Sequence, residues 1–161
     1  MYNFKIQTYF KIFFFISIIS LSSAYFIEYI LGYQPCNLCL IERIPYGLTV
    51  FLIILNYISR IDEKFIILLL SLTFAFSFII SFYHFGIEQG FFKESSICGV
   101  NNAKEILSKE ELLKKLQEIR VSCKDVTFRV FGLSLTSINI IISFTIFLIL
   151  IKIYRQYEKI K

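Results

Sequence analysis

The sequence predicts an all-α membrane protein: a four-transmembrane-helix bundle with one long polar loop on its outer side. Three observations point there. The 161 residues are 57% hydrophobic and only 18% charged, with 19 phenylalanines, and the mean hydropathy is +0.69. That is more apolar surface than a water-soluble chain of this size can hide, whereas lipid needs no hiding. The apolar residues gather into four runs of membrane length. The remaining polar residues concentrate in one stretch between the third and fourth runs.

The first run, Ile12 to Leu31, is 20 residues with one charge, Glu28. At about 1.5 Å per residue, roughly 20 residues cross a hydrocarbon core of about 30 Å. A leader peptide is the competing reading, because Lys5 and Lys11 precede the run and Ser22-Ser23-Ala24 loosely resembles a cleavage site. The apolar stretch continues through Tyr25-Phe26-Ile27, past that point, which favours a retained span. The second run, Ile44 to Ile58, is short unless counted back toward Cys36, which puts Glu42 and Arg43 near the interface. The third is Phe65 to Tyr83 and the fourth Val130 to Ile151. With no water to satisfy an exposed backbone, such runs must be helical. The expected spans are about 12–31, 40–58, 65–85 and 130–151 of a single domain covering residues 1–161.

Basic residues set the expected orientation. Lys5 and Lys11 precede the first span, Arg60 and Lys64 join the second to the third, and Lys152, Arg155, Lys159 and Lys161 follow the fourth. With four spans these three segments share one side, which is therefore expected to be cytoplasmic. Orientation thus explains the formal charge of +5, and no nucleic-acid patch or nucleotide-binding glycine pattern is present. Tyrosines stand in for the absent tryptophan as interfacial anchors. In the long loop, about 86–129, SKEELLKKLQEI from Ser108 reads as an amphipathic helix with a capping box at Ser108 and Glu111. Its apolar stripe is suited to lying on the membrane surface.

The same parity places all four cysteines opposite the positive side, where disulfides persist. Cys36-Asn37-Leu38-Cys39 is the strongest local signal: two intervening residues permit a tight disulfide or half of a metal site. Pro35 suits a helix start, so the pair is expected at a helix N-terminus, where the dipole favours thiolate. Arg43, four residues after Cys39, shares its helical face. There it can stabilise the Cys39 thiolate or hold a polar carbonyl, or simply anchor the helix at the interface. Glu42 is expected to point elsewhere, as a solvated interfacial acid. Cys98 and Cys123 are either a staple closing the loop, worth roughly 3–4 kcal/mol, or a second redox pair. A zinc site built from all four thiolates is disfavoured by the wide spacing of that second pair, and no metal is expected. His84 and Glu88 at the end of the third span, and Glu28 in the first, are candidates for interfacial hydrogen bonding or for protonating a reduced ligand.

These features together resemble the DsbB family of disulfide bond formation proteins, particularly its shorter alphaproteobacterial members. The likeness rests on Pro35-Cys36-Asn37-Leu38-Cys39 followed by Glu42-Arg43, on two spans joined by a short basic loop, and on Cys98 and Cys123 before a last span. YHFGIEQGFF at 83–92 and CKDVTFRVFGLS at 123–134 carry it further. The resemblance implies an inner-membrane, quinone-dependent protein-disulfide oxidoreductase supporting disulfide bond formation. In that scheme Cys98 meets a reduced periplasmic DsbA-like thioredoxin-fold protein, or a paralogue of it, and Cys123 is its resolving partner. Cys36 and Cys39 regenerate that pair, with Cys39 and Arg43 nearest a ubiquinone or menaquinone. A vitamin K epoxide reductase-like enzyme is the nearest alternative, but its loop cysteines precede the CxxC and these follow it. A non-enzymatic membrane protein with structural disulfides is the alternative of another class.

Overall fold

The computed structural model describes residues 2–59, 61–94, 98, 122–124, 128–130 and 132–160. Four helices dominate it: α1 (Tyr2–Tyr29), α2 (Asn37–Ser59), α3 (Glu63–Glu88) and α4 (Leu135–Ile160). Each contains a stretch long and apolar enough to cross a membrane, the shortest being the 23 residues of α2. The chain is thus a multi-pass membrane protein. The segment read above as an amphipathic helix, from Ser108 to Ile119, lies outside the described residues.

The bundle buries its contents as membrane helices do, with large apolar side chains filling one end and small polar ones letting the helices approach. Phe13 of α1, Ile66, Leu70 and Phe74 of α3, and Leu150 of α4 form the main core. Toward the other end, Ser77 of α3 and Ser143 of α4 share a hydrogen bond of 2.9 Å. Many of the largest apolar residues face outward instead, among them Phe15, Ile19, Phe51, Phe76 and Ile79. In water that surface would be a liability; in hydrocarbon it is the solvent-facing side. Helix α3 is the central element, packed on α4 and on α2, with α1 against α2.

Two connections differ from the sequence expectation. The fourth span begins at Leu135, not Val130. Residues before it form a small antiparallel hairpin, β1 (Arg129–Val130) with β2 (Leu133–Ser134), in which Arg129 pairs with Ser134. Gly132 turns it with φ +85°, a left-handed conformation that only glycine adopts without penalty. Ser134 then caps α4, its Oγ accepting the Ser137 backbone N–H at 3.2 Å. The apolar run was therefore part hairpin, and α4 makes up its length by continuing past Ile151 into the basic tail. Within α2, Pro45 does not stop the helix; such breaks are tolerated where neighbouring helices surround them.

The ends of the bundle are distinct. Lys64, in the first turn of α3, pairs with Glu158 near the end of α4 at 3.3 Å and lies over the Tyr154 ring. The short α2–α3 connection and the C-terminal tail are thereby held together. The cysteines lie at the opposite end. There α3 ends on Gln89, and Gly90 (φ +78°) reverses the chain so that Phe91 and Phe92 N–H groups return to the Gly86 carbonyl at 2.8 and 3.1 Å. A Cβ at Gly86 would overlap the Phe92 ring, which is stacked on Tyr83. Gly86→Ala must push that ring aside and is expected to cost about 1–3 kcal/mol. Thermal unfolding of the solubilised protein measures this, and a midpoint unchanged from wild type would contradict it.

Candidate functional site

Cys36 is the residue that opens α2. Its carbonyl accepts the Leu40 N–H at 3.2 Å, and its Sγ accepts the Cys39 backbone N–H at 3.2 Å. The sulfur thus occupies the place of an N-capping side chain, satisfying one of the free donors at a helix start. Pro35 precedes this cap instead of standing in the first turn. The Cys36 and Cys39 sulfurs are in contact at 2.7 Å as free cysteines. The hydrogen bond from Cys39 draws the Cys36 thiol down to about 5; burial opposes this, and His84 reinforces it. Thiolate character therefore concentrates on Cys36, at the helix start.

His84 is the main surprise. It is 1% exposed, and its Nε2 lies 3.5 Å from Cys36 Sγ while its Nδ1 lies 2.7 Å from Glu42 Oε1. A carboxylate can only accept, so Nδ1 carries the hydrogen and Nε2 turns toward the sulfur. Glu42 is correspondingly not a solvated acid: it is 8% exposed, and its second oxygen accepts from Asn139 Nδ2 at 2.8 Å. Asn139 also donates to Ser81 Oγ at 2.7 Å and accepts from the Tyr46 hydroxyl. A buried carboxylate in a membrane bundle needs such partners, because nothing in hydrocarbon supplies them. Glu88, one turn after His84, accepts from Thr136 Oγ1 at 2.6 Å. Asn139 and Thr136 were not singled out from the sequence. The available signal was their polarity within an apolar run, which marks a bundle-facing position.

Arg43 turns to the other side of the cysteine pair. It donates to Glu28 Oε2 of α1 and lies over the Tyr25 ring, 5.1 Å from its centroid. Glu28 thus finds a structural role that fixes where the guanidinium stands. Between these groups lies a cavity of about 400 Å³. Cys39, Arg43, Glu42 and His84 contribute its polar wall, and Ile19, Ala24, Ile138 and Ile142 much of its apolar one.

The second cysteine pair closes over this region. Cys98 and Cys123 are disulfide-bonded, with Cα atoms 5.6 Å apart. Both are buried in one cluster with Cys36, Leu38 and Ile87. Glu94 holds the Cys123 turn from both sides, accepting from Ser122 Oγ and from the Lys124 N–H, the latter at 3.1 Å. Nearby, Tyr33 of the first connection meets Phe128, with ring centroids 5.2 Å apart. All four predicted cysteines are thus brought together at one end of the bundle.

An apolar cavity of this size between membrane helices, with a CxxC at its rim and a second disulfide packed against that CxxC, has the layout of an integral membrane thiol–disulfide oxidoreductase. Comparison with known proteins agrees. Residues 7–153 match the family model for disulfide bond formation protein DsbB, so the chain belongs to the DsbB family. It is also 34% identical over 148 residues to a chain of Rickettsia prowazekii (strain Madrid E) bearing the name "Uncharacterized protein RP370", covering 89% of this chain and 86% of that one.

Proposed function

We propose that the protein reoxidises a periplasmic DsbA-like, thioredoxin-fold dithiol protein and passes the electron pair to a membrane quinone, with both termini cytoplasmic and the cysteines periplasmic. One observation carries this reading: the two cysteine pairs share a buried cluster at the rim of the intramembrane cavity. In the first step a thiolate of the partner attacks Cys98 Sγ, and the Cys98–Cys123 bond breaks with Cys123 leaving as thiolate. The partner's second thiolate then displaces Cys98, so the partner departs as a disulfide and the loop pair holds two electrons. The loop thiols reduce the Cys36–Cys39 disulfide by the same exchange.

The cavity suits a quinone ring in chemistry: apolar walls for the ring, with Arg43 in the polar wall able to donate to a carbonyl oxygen. A ubiquinone or menaquinone bound there would accept two electrons and two protons, leaving Cys36 and Cys39 as a disulfide. Arg43, held by Glu28 and Tyr25, would be the donor to a bound quinone's carbonyl, and His84 faces Cys36. Alkylation trapping tests the proposal. Incubation with a reduced thioredoxin-fold dithiol should make all four cysteines alkylatable, and quinone should then protect them. Cysteines that stay oxidised throughout would identify structural staples and overturn the reading.

A further inference from the structure

The surroundings of the Cys36–Cys39 pair include a feature that dithiol chemistry alone does not require. Cys36 Sγ, Cys39 Sγ and His84 Nε2 lie within 4.8 Å of one another. The Cys36–His84 separation of 3.5 Å matches the edge of a tetrahedron around zinc with Zn–S about 2.3 Å and Zn–N about 2.0 Å. The imidazole is already prepared as a ligand. Its Nδ1–H is committed to Glu42 Oε1, which is the carboxylate–histidine arrangement that orients metal-binding imidazoles and raises their basicity. A fourth donor stands nearby. Glu88 Oε1 is 3.9 Å from His84 Nε2 and is engaged by Thr136. The other oxygen, Oε2, is buried on a side chain only 5% exposed and has no hydrogen-bond partner among the described residues. An unsatisfied carboxylate oxygen at this depth is costly unless something takes it up.

We propose that the reduced form of this protein binds one thiophilic divalent cation of the zinc class through Cys36, Cys39, His84 and Glu88. Binding displaces the Cys39 thiol proton and any proton held between Cys36 Sγ and His84 Nε2, so that two thiolates and a neutral imidazole face one metal ion. The two sulfurs, now 2.7 Å apart, must separate to about 3.8 Å around zinc, a movement that side-chain rotation can supply. The disulfide form has no thiolate to offer, so occupancy is confined to the dithiol state. On the redox reading above, which this consequence depends on, the ion holds the sulfurs apart and competes with their reoxidation. Two donors come from the helix start, so this set differs from the all-cysteine site that the spacing of Cys98 and Cys123 disfavours.

The experiment uses the full-length chain with Cys98→Ser and Cys123→Ser, so that only the pair in question carries thiols, reconstituted in lipid nanodiscs. After anaerobic reduction and removal of reductant, competition with a chromophoric chelator should report one Zn²⁺ per chain, and none after oxidation to the disulfide. Co²⁺ in place of Zn²⁺ should show thiolate-to-metal charge-transfer absorption with tetrahedral ligand-field bands. Both His84→Ala and Glu88→Gln should weaken Zn²⁺ by about tenfold or more, and Glu42→Gln by about 10- to 100-fold, with monodisperse elution confirming that each variant folds. Absence of Zn²⁺ binding, equal binding by the disulfide form, or an affinity indifferent to His84→Ala and Glu88→Gln would each overturn the site. Quinone turnover of the metal-free wild type is measured in parallel. Turnover without Zn²⁺ binding sinks the metal site alone, and Zn²⁺ binding without turnover sinks the redox reading alone.

Discussion

Cys39→Ser is expected to eliminate quinone reduction while leaving the protein inserted and folded. The substitution exchanges sulfur for oxygen at a half-buried position and keeps the side chain's size. The α2 start survives it, because the backbone N–H of residue 39 still donates to Cys36 Sγ. What disappears is the second sulfur of the pair whose members now touch at 2.7 Å. A lone thiol cannot deliver two electrons by forming an intramolecular disulfide, so no slow residual route remains through this site. Cys98 and Cys123 stay chemically competent, and exchange with a partner should therefore stop after a single stoichiometric reduction of the loop pair. The measurement is quinone absorbance under excess dithiol partner, alongside monodisperse elution of the solubilised variant to show that it is folded. Quinone reduction at the wild-type rate would refute the assignment of Cys39.

Much of this architecture was legible in the sequence because hydrocarbon imposes so few solutions. A run of about 20 apolar residues has one way to satisfy its backbone, and four such runs fix an alternating bundle. That all four cysteines gather at one end of the bundle followed from parity alone. The boundaries were less legible, for a physical reason: Val130 to Ser134 are apolar enough to belong to a span, yet Gly132 at positive φ and Ser134 as cap start the helix later. The polar interior was least legible. His84 has Glu88 one turn further along α3, at 3.9 Å, but nothing at helical spacing links it to Glu42; those two meet across α2 and α3 at 2.7 Å. Asn139 reaches Glu42 from 97 positions along the chain. Periodicity carries information about which face of a helix turns inward, not about which polar atoms meet once it does. A buried acid beside a CxxC therefore looked like an interfacial one until helix packing was known.

Cys123→Ser should convert the loop into a trap. Cys98, left as a single thiolate, attacks the disulfide of an oxidised thioredoxin-fold partner; one sulfur of that partner becomes bound to Cys98 and the other leaves as thiolate. In the wild type Cys123 resolves such a species by attacking Cys98, and serine cannot. The expected result is a covalent complex of this chain with its partner, seen on non-reducing electrophoresis and lost on reduction. Burial adds a kinetic signature. Cys98 is fully buried in the same cluster as Cys36, and Glu94 clasps the turn at residue 123 through Ser122 and Lys124. A protein-sized attacking or receiving group cannot reach a sulfur with no accessible surface, so Cys98 must be uncovered before capture. Where uncovering is slower than the encounter, the trapping rate levels off as partner concentration rises, instead of climbing in proportion. Removing the clasp with Glu94→Gln in the same background weakens the hold on residues 122 and 124, and should raise that plateau. A mixed disulfide that cannot be recovered at any partner concentration would remove the loop pair from the electron path. A linear rate with no plateau would keep the pair in the path but show that Cys98 is uncovered faster than partners arrive.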